Sequence, residues 1–209
     1  LNLRFGLLLA PMGLVNELHE PNTFLPVGRA KTERVIIPST WRENGAGIFG
    51  EVGIVRYKAY VLNGLKGEGF AAKGLRGGRQ KGSKAQSEDW AGVLRIDLVP
   101  NQDTVIGGSV YHGNSGQTLD VDVSTTIAEL HADLQVGAVK LRALGAIAEV
   151  DDTAALSRLT ATDEAGVVPA DSAIDPVGES MVGWYLEAGY DLFHAADMGE
   201  QALIPFTDC

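Results

Sequence analysis

The sequence predicts an all-β chain arranged as an antiparallel, membrane-spanning β-barrel, and three observations predict it. Apolar and polar residues alternate with a period of two through segments of about ten residues. The connections between these segments alternate between long and tight, as barrel strands joined by external loops and short inner turns would require. Amphipathic helical periodicity is nearly absent.

The strands follow in order. Leu1, Leu3, Phe5, Leu7 and Leu9 form one face of the first segment, with Asn2 and Arg4 on the other. Strands are then expected near 45–52, 54–63, 90–99 and 104–113; the first and last of these are rich in glycine and give no readable faces. In 126–136, Ala128, Leu130, Ala132, Leu134 and Val136 oppose Glu129, His131, Asp133 and Gln135. In 138–148, Val139, Leu141 and Ala143 oppose Lys140 and Arg142. The clearest alternation is 182–192, where Val182, Trp184, Leu186, Ala188, Tyr190 and Leu192 oppose Gly183, Tyr185, Glu187, Gly189 and Asp191. A shift of one residue there would exchange the two faces, so the register is well specified. A ninth strand is expected to begin near Ala202.

The long external loops lie near 11–44, 64–89, 114–125 and 149–180, and a shorter connection lies at 194–200; tight turns fall near 53, at Pro100–Asp103 and near Gly137. Compact soluble domains favour connections of about 4–6 residues. The chain of 209 residues has 17 Lys+Arg against 27 Asp+Glu, a net charge of −10 that disfavours nucleic acid as a partner. With 45% apolar and 21% charged residues it is not a disordered composition. Its 26 glycines follow no triplet repeat, and its one cysteine, Cys209, leaves no internal disulfide or paired-thiol metal site. The most apolar run, Phe5–Val15, is broken by Gly6, Pro11 and Gly13, so no transmembrane helix is expected. Nine strands is an odd number, whereas bacterial single-chain barrels are even, and an open edge is not tolerated in lipid. The expectation is one transmembrane barrel domain over 1–209, incomplete at both ends.

Alternation alone also fits a β-sandwich, soluble or surface-exposed, that binds ligands through its long loops. The polar faces distinguish the two readings. The strands contribute Arg4, Arg56, Lys58, Arg95, Lys140 and Arg142 against Glu51, Asp97, Glu129, Asp133, Glu187 and Asp191, six of each sign. In a wide barrel these charges line water, and the expected pore-lining set is Arg4, Arg56, Lys58, Arg95, Asp97, Glu129, His131, Asp133, Lys140, Arg142, Tyr185, Glu187 and Asp191. Trp90 and Trp184 near the long-loop ends, with Tyr57 and Tyr190 near the short-turn ends, fit interfacial girdles.

Two loops carry strong charge. The run Lys66–Lys84 holds Lys66, Lys73, Arg76, Arg79, Lys81 and Lys84 with only Glu68 opposing, and Lys73, Arg76, Arg79, Lys81 and Lys84 are expected to attract anions at a channel mouth. A solvated flexible loop is the plainer reading of the same residues. Its Gly82-Ser83-Lys84 order fails the phosphate-loop motif, which ends Gly-Lys-Ser/Thr. The run Asp151–Glu179 holds seven acids against Arg158 without the spacing of a calcium loop. In 11–44 the apolar run Val35-Ile36-Ile37 sits among Arg29, Lys31, Arg34 and Arg42, so the loop packs, either within the barrel as a constriction or externally. His19-Glu20-Pro21 lacks a second histidine in range, and Ser115 sits in GNSG rather than a nucleophile elbow. No enzymatic activity, catalytic residue, metal site or cofactor is expected.

The segments Leu3–Asn16 (LRFGLLLAPMGLVN), Ile37–Phe49 (IPSTWRENGAGIF), Tyr57–Leu65 (YKAYVLNGL), Gly77–Ser83 (GGRQKGS) and Gly183–Phe193 (GWYLEAGYDLF) resemble the bacterial phosphate-selective porin family and its porin-like relatives. The resemblance implies a 16-stranded, homotrimeric barrel in the outer membrane of a Gram-negative bacterium, of which this chain is roughly the middle half. It implies passive passage of small hydrophilic solutes or ions, with outer-membrane lipid and lipopolysaccharide as surroundings. Phosphate selectivity does not carry over, because the arginine and lysine excess associated with it is missing from strands whose charges balance.

Overall fold

The computed structural model describes residues 1–18, 25–26, 28–83, 85–119, 121–161, 176–194 and 203–208. Its strands are β1 (Asn2–Leu9), β2 (Arg42–Val52), β3 (Val55–Asn63), β4 (Trp90–Asn101), β5 (Thr104–Asn114), β6 (Ser124–Val136), β7 (Val139–Val150), β8 (Ser180–Tyr190) and β9 (Phe206–Asp208). All nine form one sheet in chain order, each strand antiparallel to its neighbours. The all-β class is therefore as the alternation predicts. The sheet is open among the described residues, with β1 and β9 at its edges, and does not by itself form a closed barrel. Nor do the described residues form the two packed sheets of a sandwich.

Most strand bounds differ from the sequence reading by one to three residues, and three of the differences matter. β2 begins at Arg42 rather than 45, because Gly45, Gly47 and Gly50 hide its alternation. β8 begins at Ser180, which makes Trp184 its fifth residue of eleven rather than the start of the strand. Asp191 lies beyond β8, and its Oδ1 accepts hydrogen bonds from the backbone N–H groups of Phe193 (3.0 Å) and Leu203 (3.2 Å). It caps the chain segment that leaves β8. Ala202, the expected start of the ninth strand, lies outside the described residues.

The tight turns are local chemistry. Gly53 and Gly137 have φ of +60° and +58°, the left-handed region that a two-residue hairpin requires. At the third turn the Asn101 side chain accepts the Asp103 N–H at 2.9 Å.

Register sorts the side chains onto two faces. Lys58, Arg95, Ser109 and Glu129 are successive cross-strand partners, and so are Arg56, Asp97, Gly107 and His131. Asp133, Arg142 and Glu187 form a third row of the same face. Burial is inverted relative to polarity: Leu130 is 75% exposed, whereas its neighbours Glu129 and His131 are 4% exposed. Leu94, Ile96, Leu98, Val182 and Trp184 are exposed on the same outer side.

The inner face has two zones. Toward the long loops it is apolar, and Leu62, Val93, Tyr111, Ile127 and Ala148 pack against loop residues Ile37, Trp41, Leu65, Leu75 and Leu156 in one buried cluster. Trp41 and Tyr111 meet with ring centroids 4.9 Å apart, and the Tyr111 hydroxyl accepts the Leu65 N–H at 2.9 Å. Toward the tight turns the inner face is charged. The helices α1 (Thr32–Val35) and α2 (Thr153–Ala161) both belong to the loop layer.

The tight inner packing of β2 generates a prediction. A Cβ on Gly47 would meet Tyr60 and the Ala59 carbonyl, whereas one on Gly92, outward on β4, meets nothing within 4 Å. Gly47→Val is expected to destabilise the protein by about 1–3 kcal/mol, and Gly92→Val by much less. Denaturant midpoints of the two variants check this.

Candidate functional site

The charged half of the inner face is crossed by the segment that follows β1. Arg95 is the centre of the arrangement. Its Nε donates to both Asp97 carboxylate oxygens (2.8 and 3.0 Å), and its Nη1 donates to the Gly13 carbonyl at 2.5 Å. His131 Nε2 lies 3.0 Å from Asp97 Oδ1, and its Nδ1 lies 2.9 Å from Glu129 Oε2. Glu129 Oε1 accepts the Ser109 hydroxyl at 2.5 Å. This chain links β4, β5 and β6 through groups almost wholly removed from solvent. Among the described residues no cluster has the composition of a metal site.

Cross-strand geometry explains the contribution of the loop. Lys58 and Arg95 are direct partners across β3 and β4, and like charges in that position repel. Glu17 relieves the repulsion, 2.5 Å from Lys58 Nζ and 3.9 Å from Arg95 Nη1. Glu33 of α1 is buried against the same segment, where its Oε1 accepts the N–H groups of Leu14 and Val15 and its Oε2 accepts the Tyr185 hydroxyl at 3.1 Å. Arg95 on β4 and Tyr185 on β8 thus converge on one short stretch of loop. In a flat sheet four strand intervals span about 19 Å, and side chains stand perpendicular to it, so the sheet must curl around the loop.

The base of this loop is closed by Asn16. Its Nδ2 donates to the carbonyls of Ala10 (2.7 Å) and Trp41 (3.1 Å), while its Oδ1 accepts the Trp41 N–H at 2.7 Å. The loop 11–44 packs, as its apolar run predicts. Ile36 and Ile37 enter the buried cluster on the inner side of the sheet.

The other expected wall residues are placed as follows. Arg142 pairs with Asp133 at 2.6 Å and lies 3.8 Å from Glu187. Lys140 is half-buried opposite Gly189. Arg56 pairs with Glu51 at 3.3 Å near the tight turn, and both are exposed. Arg4 lies 4.4 Å from the centre of the Phe49 ring.

The basic loop 64–89 is docked rather than free. Arg79 donates to the Ser39 carbonyl at 2.6 Å and the Thr40 hydroxyl at 2.7 Å, and Arg76 donates to the Ser39 carbonyl at 3.0 Å. Burial and neighbouring guanidinium groups hold both arginines below the ordinary arginine range. Gln80 N–H reaches the buried Glu43 at 2.8 Å. Lys73 and Lys81 remain exposed, and Lys84 lies outside the described residues.

The sequence reading missed Glu17, Glu33, Asn16 and Glu43. Nothing local marks the three acids, because each acts on residues 18 or more positions away in sequence, and Asn16 joins Ala10, six positions back, to Trp41, 25 positions on.

No protein-family profile and no solved structure matches the chain. It is similar to an uncharacterized protein of Aquifex aeolicus (strain VF5), 36% identical over 212 residues, which covers 98% of this chain and 47% of that protein. The chain therefore spans about half the length of the relative it matches.

Glu33 makes loop docking sensitive to pH. Burial raises its pKa above the ordinary 4.5, although its three hydrogen-bond donors act in the opposite direction. A raised acid binds more protons docked than free, so docking is strongest below about 4.5 and weakens as pH rises through the raised value. Amide exchange of residues 12–17 is expected to speed up across that range beyond the intrinsic base dependence. Glu33→Gln is expected to remove this extra dependence while keeping the loop in place.

Proposed function

We propose that the chain is about half the wall of an outer-membrane channel for passive diffusion of small hydrophilic solutes or ions. The inverted burial of a single continuous sheet carries this reading. Exposed Leu1 and, on β1, Leu3, Phe5 and Leu7 continue through Leu94, Ile96, Leu130 and Trp184, a sheet-wide series of exposed apolar side chains where soluble monomers keep such patches small. Hydrocarbon is the environment that such a face fits, with the charged face turned to water.

The open edges support the same reading. In lipid the backbone groups of β1 and β9 need partners, and the Aquifex relative, 47% of which is covered by the match, has room for strands of that kind. The resemblance to porins names a fold of that kind, with a homotrimer, lipid and lipopolysaccharide around it. In this reading the exposed Lys73 and Lys81 would meet lipopolysaccharide phosphates.

The mechanism is diffusion along the charged half of the inner face, narrowed where Gly13 and Glu17 cross it. Arg95, Asp97, His131 and Glu129 are mutually satisfied there, so they set a fixed field rather than bind and release solute. Neither turnover nor a cofactor enters this scheme. Because the wall charges are largely paired, ion selectivity is weak and phosphate preference is not part of the proposal.

Reconstituting the full-length protein in planar bilayers tests the reading. Stepwise conductance with a reversal potential near zero in a salt gradient is expected, and no conductance at any protein concentration contradicts it. Leu130→Arg is expected to cost about 2–4 kcal/mol of folding stability in lipid or detergent if the site lies near the bilayer midplane. Free solubility without detergent, with a negligible Leu130→Arg penalty, would place the outer face in water.

A further inference from the structure

We propose that the loop layer holds a binding site for linked phosphate groups, of the di- or triphosphate class, between α1 and the basic loop. The inference goes beyond the channel reading, since binding here needs no passage along the wall. The cavity has a volume of about 400 Å³, within the range of about 300–1,000 Å³ for small-molecule sites, and no residue of the edge strands β1 and β9 lines it.

Contacts between the two loops fix its walls. The Leu75 N–H donates to the Val35 carbonyl at 3.0 Å. Gly74, with φ of +114°, lies so close that a Cβ there would collide with the Val35 side chain and carbonyl.

Arg34 of α1 and Lys73, Arg76 and Arg79 of the basic loop line the cavity. Among the described residues, none of the four has a carboxylate within 4 Å. The nearby acids are committed elsewhere: Glu68 pairs with Lys66 at 2.6 Å, and the buried Glu43 accepts the Gln80 N–H at 2.8 Å. Neutral acceptors hold the guanidinium groups instead. Arg76 Nη1 donates to the Ser39 carbonyl and hydroxyl at 3.0 and 3.1 Å, Arg79 Nη1 donates to the same carbonyl at 2.6 Å, and Arg29 reaches the same hydroxyl at 3.3 Å. Carbonyl and hydroxyl oxygens orient these cations without cancelling their charge. Arg29 and Arg34 accordingly add to burial in holding Arg76 below the ordinary arginine range. The Nη2 groups of Arg76 and Arg79 and the whole Arg34 guanidinium make no hydrogen bond to the described residues.

Four positive charges on one cavity select the ligand. A chloride ion or a single carboxylate would offset only one of them. Linked phosphates carry several negative charges, and their tetrahedral oxygens meet more than one arginine fork at once. The rest of the lining is glycine, Ala71 and Val35, with no ring on which a base could stack. Recognition therefore ends at the phosphates, whether they belong to a free polyphosphate or to a glycolipid headgroup bearing more than one phosphate.

Isothermal titration of the full-length protein in neutral maltoside micelles without divalent cations, with inorganic triphosphate, orthophosphate and adenosine in turn, tests this. Triphosphate is expected to bind at least about tenfold more tightly than orthophosphate, with no binding of adenosine. Arg34→Gln should cost about tenfold in triphosphate affinity, and Arg34→Lys should recover part of the loss. Lys31→Gln removes the same charge from an exposed neighbour outside the lining and should cost much less. Arg34 is itself exposed, so its variants leave the packing of the loops intact. A diphosphorylated glycolipid mixed into the micelles distinguishes the sources: tighter binding than triphosphate assigns the site to a membrane headgroup, and weaker binding assigns it to a soluble ligand. Failure of both triphosphate and glycolipid to bind, equal affinity for orthophosphate and triphosphate, or equal losses from Arg34→Gln and Lys31→Gln would overturn the proposal.

Discussion

Arg95, which is buried, stands beside the half-buried Lys58 on the neighbouring strand. Two adjacent positive charges in that setting need acids and carbonyls brought to them. Asp97 supplies one from the same strand, while Glu17 and the Gly13 carbonyl come from the loop after β1. The loop is consequently part of the wall's electrostatics. Tyr185 and Glu33 hold its other side, and the curl of the sheet follows from both contacts being made at once.

The same loop divides the inner face. On its long-loop side, Ile36, Ile37 and Trp41 join Leu65, Leu75 and Leu156 over apolar strand positions. On its short-turn side, the charged rows remain around a cavity. A glycine at position 13 makes this possible: φ is +70°, and a Cβ there would collide with the Glu33 carboxylate. Arg76 and Arg79 then bind the basic loop to Ser39 and Thr40, so the loops form one packed layer rather than separate solvated excursions.

Much of the sheet was legible in the sequence because the strand period is two and a one-residue error flips every side chain. β6, β7 and β8 show this, with alternation that survives into the register. β2 was less legible, since glycines carry no side chain to mark a face, and Arg42 and Glu43 were left outside it. The strand charges could be placed on one face for the same reason, apart from Asp191, which lies beyond the end of β8. The loop contacts could not be read. Glu33 sits in a four-residue helix, and its partners Leu14, Val15 and Tyr185 are distant in sequence. The arginines of 64–89 looked solvated because composition reports charge and not the carbonyl groups that receive it.

The central claim is that the apolar face of this one sheet meets hydrocarbon and the charged face meets water. Spin labels placed singly at residues 94 to 98 of β4 in the reconstituted full-length protein, with collision rates against oxygen and a water-soluble nickel complex, test it most directly. The account predicts high oxygen and low nickel accessibility at 94, 96 and 98, with labels at 95 and 97 shielded from oxygen. Strong nickel accessibility at 94, 96 and 98 would put that face in water and contradict it.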